Sequence, residues 1–106
     1  MGLFDFLKPD NRMDALEHFY ADETALLLDV RTEGEYAAGH IPKSVNLPLA
    51  VLDKSPLLPD NKDKAIYVYC QSGGRSRTAA ALLRQLGYTN VTDLGGIANY
   101  RGKVEQ

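Results

Sequence analysis

The sequence predicts an α/β fold in which a parallel sheet carries helices on both faces, and three observations lead there. Short apolar, β-branched or aromatic runs alternate with segments of helical period, an order that calls for parallel crossovers rather than hairpins. The runs Leu26–Leu28 and Ile66–Tyr69 are apolar at successive positions rather than at every second one, the pattern of strands covered on both sides. A length of 106 residues holds one core.

Each element has its own signal. Met1–Leu7 is apolar, short and interrupted by Asp5, and lacks the basic start and small-residue cleavage site of a secretory signal. Residues 1–11 are read as an N-terminal extension expected to pack on the domain or fray, and residues 12–106 as the folded domain. After the break at Pro9, with Asp10 or Asn11 as N-cap, Met13, Leu16, Phe19 and Tyr20 recur at helical spacing. Leu26–Val30 reads as a buried strand, and Arg31–Ala38 as one or two helical turns stopped by Gly39 at C′. His40, Ile41 and Pro42 form an extended connection to a short strand at Val45–Leu47, and Pro48–Leu52 turns once as helix. Ile66–Tyr69 is the strongest strand signal and ends at Cys70. Ala79, Leu82, Leu83 and Leu86 mark one face of a helix ended by Gly87. Val91–Leu94 reads as the last strand, Gly95–Gly96 as a turn, and Ile97–Arg101 as a closing helical turn.

Composition narrows the function. Hydrophobic residues make up 44% and charged residues 25%, which excludes disordered, collagen-like and coiled-coil architectures. Twelve Lys+Arg against fourteen Asp+Glu give a net charge of −2, too balanced to hold nucleic acid or an anionic membrane by bulk field, and no segment is long enough to span a bilayer. A single cysteine makes no internal disulfide, so a reducing, cytoplasmic setting is expected. Two histidines and one cysteine offer no metal site, and nothing calls for a cofactor.

In sheets of this kind sites form beyond the carboxyl ends of the strands. Asp29–Arg31 and Cys70–Arg75 both follow strands and are expected at one edge. Cys70-Gln71-Ser72-Gly73-Gly74-Arg75-Ser76 places a thiol at a strand end, a glycine loop, and then a helix start. Unpaired amides of such a loop and helix turn inward and present positive potential to a thiolate or oxyanion. Gly73 and Gly74 permit backbone angles or close approaches that a side chain would obstruct. Ser72 or Ser76 is expected to cap the helix. Arg75 adds a planar donor fork for an oxyanion and is expected to lower the thiol pKa. Cys70 is thus a candidate nucleophile. Asp29 and Arg31 either support the loop through hydrogen bonds or form a structural ion pair; Glu35 is a natural partner for Arg31 one turn away. His40 is expected to pack or hydrogen-bond structurally rather than act as a base.

Leu28–Arg31, Glu35–Tyr36, Gly39–Pro42, Asn46–Pro48, Tyr69–Ser76 and Leu94–Ile97 together resemble, in order, blocks of the rhodanese (thiosulfate sulfurtransferase) family in its single-domain form. The likeness covers roughly residues 12 to 101 and implies the three-layer rhodanese-like fold. It further implies that Cys70 takes the outer sulfur of a donor such as thiosulfate, becomes a persulfide and passes the sulfur to cyanide, a small thiol or a protein thiol. In that scheme the amides from Gln71 to Ser76 cradle the persulfide and Arg75 holds the sulfite end. Four residues separate Cys70 from Arg75, one fewer than in the related phosphatases, which disfavours phosphate. Gln71 stands where the family is often basic, and Tyr100 where it often has Trp, so thiosulfate affinity is expected to be modest and the rim open. A sulfur-relay or interaction module that carries persulfide to a protein partner is the alternative, and a thiol redox sensor is a third reading.

Overall fold

The computed structural model describes residues 11–106; the readings made for Met1–Leu7 and for Asp10 as a cap lie outside them. Helix α1 spans Asn11–Ala21, and strand β1 spans Leu26–Asp29. Helix α2 follows at Glu33–Ala38, then strand β2 at Val45–Asn46 and a 3-10 helix at Leu49–Lys54. Strand β3 spans Ile66–Cys70, helix α3 Gly74–Gln85, strand β4 Val91–Gly96, and a 3-10 turn Ile97–Asn99 closes the set. The four strands lie in the order β2-β1-β3-β4, every neighbouring pair parallel.

Alternation along the central strands divides the core. Leu28, Ile66, Val68 and Cys70 face α3, where they pack with Ala79, Ala80 and Leu83. Leu27, Tyr69 and Leu94 face the other way, onto Leu16 and Phe19 of α1. The apolar runs are continuous because each face has a helix to cover it. Short α2 buries none of its residues; its stability comes from a capping box in which Thr32 Oγ1 accepts from the Glu35 amide and the Glu35 carboxylate accepts from the Thr32 amide.

Two glycine readings change. Gly39 follows α2, but at φ 160° it is extended rather than left-handed, and its amide bonds to Tyr36 O. Gly95 and Gly96 are not a turn beyond the last strand; they are its final two residues, paired with Tyr69 and Cys70. A register shift after Val68, opposite Asp93, lets the strand continue, with Gly95 at φ +83° and its amide donating to Asp93 Oδ1.

Candidate active site

Strands β1 and β3 are direct neighbours with Asp29 opposite Tyr69, so the segments that leave them, Asp29–Arg31 and Cys70–Ser76, emerge side by side as the sequence predicts. The sulfur of Cys70 lies under its own loop. Gly73 N donates to Sγ at 3.0 Å and Ser76 N at 3.2 Å. Gly73 makes the curl possible, since its φ of +102° is one that residues with a Cβ rarely adopt. Ser76 is the third residue of α3, whose amide has no acceptor within the helix. The sulfur therefore takes the capping position, and neither Ser72 nor Ser76 provides a side-chain cap. Ser76 Oγ donates instead to Gly73 O at 3.1 Å, closing the loop on itself.

Cys70 is only 1% exposed and belongs to the apolar cluster beneath α3. That burial alone would raise its pKa; hydrogen bonding from Ser76 and from the Gly73 amide, with a smaller pull from Ser72, outweighs it and holds the thiol below its ordinary value. The arrangement can hold a thiolate, and can spread the charge of a sulfur atom added to it.

Arg75 is engaged by a carboxylate. Its Nη1 and Nη2 donate to Glu35 Oε1 and Oε2 at 2.7 and 2.9 Å, a two-pronged ion pair between α2 and α3. The hydrogen bonds that depress the Cys70 pKa come from the loop and the first turn of α3; the Arg75 guanidinium, though met by a carboxylate, also interacts with the Cys70 charge. Glu35 consequently does not pair with Arg31. Arg31 turns back to Asp29, with Nε and Nη2 donating to the carboxylate at 3.0 and 2.7 Å, because Asp29 is wholly buried and needs a buried partner.

The same guanidinium donates to Gly39 O at 2.7 Å and to Gln71 Oε1 at 3.2 Å. The pair is an ion pair, and its guanidinium also reaches the cysteine loop through Gln71. Asn46 locks it from the other side by donating to Asp29 O and Arg31 O. His40 stacks on Tyr36 with ring centroids 3.7 Å apart, and its Nδ1 lies 2.8 Å from Tyr36 O, a structural placement. Tyr69, buried so that its phenol pKa is pushed up, uses its hydroxyl oxygen to accept from Ile41 N, pinning the connection after α2 onto β3.

Gly74 and Gly96 exchange the roles that sequence suggests. A Cβ at Gly74 would meet nothing within 4 Å, whereas one at Gly96 would lie 2.6 Å from Gln71 O and 2.8 Å from Ser72 Cα. The close approach that needs glycine is thus between β4 and the loop. Only the strand register reveals it; the Thr32-x-x-Glu35 spacing, by contrast, is a local signal of the capping box that the reading of the sequence passed over. Among the described residues no three His, Cys, Asp or Glu side chains converge as a metal site would need, and no helix is long and apolar enough to cross a membrane.

Comparison with known proteins agrees with this geometry. The model of the rhodanese-like domain family matches residues 13–103. A sulfurtransferase of Allochromatium vinosum is 40% identical over 85 residues, covering 78% of this chain and 78% of that one. The adenylyltransferase and sulfurtransferase of Ogataea parapolymorpha is 32% identical over 103 residues; these are 96% of this chain but 26% of that much longer protein. Among solved structures, a human single-domain sulfurtransferase superposes with a TM-score of 0.70 at 29% identity, covering 79% of this chain and 86% of that one. The three-layer α/β fold expected from the sequence is the fold these proteins share.

Proposed function

The chain belongs to the rhodanese-like domain family of sulfurtransferases, and from that premise we propose that Cys70 carries a sulfane sulfur from thiosulfate or a related donor to a thiophilic acceptor. The Cys70 thiolate attacks the outer sulfur of thiosulfate; the S–S bond of the donor breaks and sulfite leaves with the bonding pair. A cysteine persulfide remains. Cyanide, a small thiol or a protein thiol, each as its anion, then attacks the terminal sulfur, and the Cys70 thiolate departs unchanged, ready for another cycle.

The observation that carries this reading is the pair of amides, Gly73 N and Ser76 N, aimed at Cys70 Sγ. They favour the attacking form of the sulfur before reaction and the persulfide anion after it. The remaining groups of the stretch Gln71–Ser76 complete the cradle, with Arg75 as the charged contact for an anionic donor and Asp29 with Arg31 holding the loop from behind. No cofactor or metal enters this scheme, and a free thiol suits a reducing compartment such as the cytoplasm. Incubation with thiosulfate, followed by buffer exchange and intact mass measurement, tests it. The expected result is a gain of one sulfur that cyanide removes and that the Cys70→Ser variant never acquires. No mass gain from thiosulfate or any persulfide donor, together with rapid oxidation by peroxide, would leave the redox-sensor reading in its place.

One observation favours a second reading, a relay that receives persulfide and hands it to a protein partner. Arg75 already has a carboxylate in its fork, which weakens its hold on small anions. A relay passes its sulfur to a specific acceptor protein faster than to cyanide, and a competition assay separates the two.

A further inference from the structure

The link between Glu35 and Arg75 bears on which donors the site accepts. It joins residues 40 apart in sequence, the first in α2 and the second at the start of the helix that follows the cysteine loop. Both terminal nitrogens of the guanidinium are engaged, at 2.7 and 2.9 Å, so the flat edge that would grip an oxyanion is turned to a carboxylate. Glu35 is itself held in place. Its Oε1 also accepts from Thr32 N at 3.0 Å and from Thr32 Oγ1 at 3.1 Å, so swinging away costs the helix its cap. The guanidinium beside it, together with Thr32, holds its carboxyl at about 2, so the negative charge is present throughout the neutral range.

Building on the sulfurtransferase reading, we propose that Glu35 is a specificity-determining residue: by occupying the Arg75 fork it disfavours small dianionic sulfur donors such as thiosulfate relative to persulfide donors, whose reacting end carries at most a single negative charge. A dianion approaching Arg75 meets a neutral pair with a fixed carboxylate at its edge, not a free cation. A thiol-borne persulfide, which reacts through its protonated outer sulfur, depends on the loop amides and feels that pair less.

The test separates charge selection from sulfur transfer. Cys70 is alkylated with iodoacetate and, in parallel, with iodoacetamide; the reagents differ in charge, and the ratio of their rates cancels both the burial of the thiol and its degree of ionisation. Glu35→Gln, which retains a capping-box side chain, raises the iodoacetate/iodoacetamide ratio about tenfold, the order expected from removing one fixed charge beside an ion-binding fork. Glu35→Ala moves it in the same direction, and Arg75→Ala lowers it. In donor loading followed by mass, Glu35→Gln lowers the thiosulfate KM by a similar factor, and the kcat changes less. A ratio that is unchanged or lowered in both Glu35 variants overturns the proposal. A raised ratio in a protein that no donor ever loads supports the electrostatic role of Glu35 and overturns the sulfurtransferase reading instead.

Discussion

Replacing Gly96 by alanine tests how tightly β4 holds the cysteine loop. The added Cβ would sit 2.6 Å from Gln71 O, 2.8 Å from Ser72 Cα and 2.9 Å from Ser72 C, all backbone atoms that no rotamer change can move aside. Relief requires the Gln71–Ser72 segment to retreat by roughly half an ångström or more to reach ordinary contact. That shift also pulls on the 3.1 Å bond from Ala98 N to Gln71 O and on the pairing of Cys70 with Gly96. Overpacking of this kind costs about 1–3 kcal/mol, and each kcal/mol lowers the melting temperature of a domain this size by about 4–8 °C. Thermal melting by circular dichroism reads the stability, and the iodoacetamide rate at Cys70 reads the loop. Gly74→Ala is the control: it meets open space in the first turn of a helix, so its melting temperature stays within a few degrees of wild type or rises slightly. Wild-type melting and thiol reactivity in Gly96→Ala would refute the reasoning, as would a larger loss in Gly74→Ala than in Gly96→Ala.

Other perturbations follow from the same geometry. Arg31→Met leaves the wholly buried Asp29 without its guanidinium and frees Gln71 and Gly39 O of a donor; urea unfolding should show a loss of about 3–5 kcal/mol, and a loss near zero would remove the pair from its structural role. Glu35 has a folded-state pKa of about 2 against an ordinary 4.5, so its ion pair contributes stability in full above that ordinary value and loses it as pH falls from 4.5 toward 2. Acid unfolding of Glu35→Gln should therefore be flatter than wild type across that interval, and identical profiles would contradict the pairing. Arg75→Ala should raise the thiosulfate KM several-fold and lower the melting temperature only by the loss of one partly exposed ion pair; an unaltered KM would remove its role as donor contact.

The architecture was legible because the pattern of buried strands is local. Leu26–Leu28 and Ile66–Tyr69 have no polar face, and a chain built of such strands between helices has few ways to cover both sides. The cysteine loop was legible for a similar reason, since a thiol, glycines and a helix start within seven residues, Cys70 to Ser76, define their own geometry. What escaped depended on register and on competition among charges. Gly96 needs to be glycine only because the shift after Val68 sets it against Gln71 and Ser72. On paper Glu35 was the natural partner of Arg31, one turn away, and burial decided otherwise: Asp29 is fully enclosed and claims Arg31, which leaves Glu35, partly exposed on α2, to Arg75. Burial of Cys70 to 1% was likewise invisible, because a strand terminus gives no sign of how deeply the following helix seats it.

The pH dependence of thiolate formation at Cys70, followed by ultraviolet absorbance with Cys70→Ser as the blank, addresses the whole account most directly. If the Gly73 and Ser76 amides govern the sulfur, half-ionisation falls below that of a free cysteine titrated alongside. A midpoint at or above that value would mean that burial prevails over the loop amides, and that the cradle does not activate the thiol.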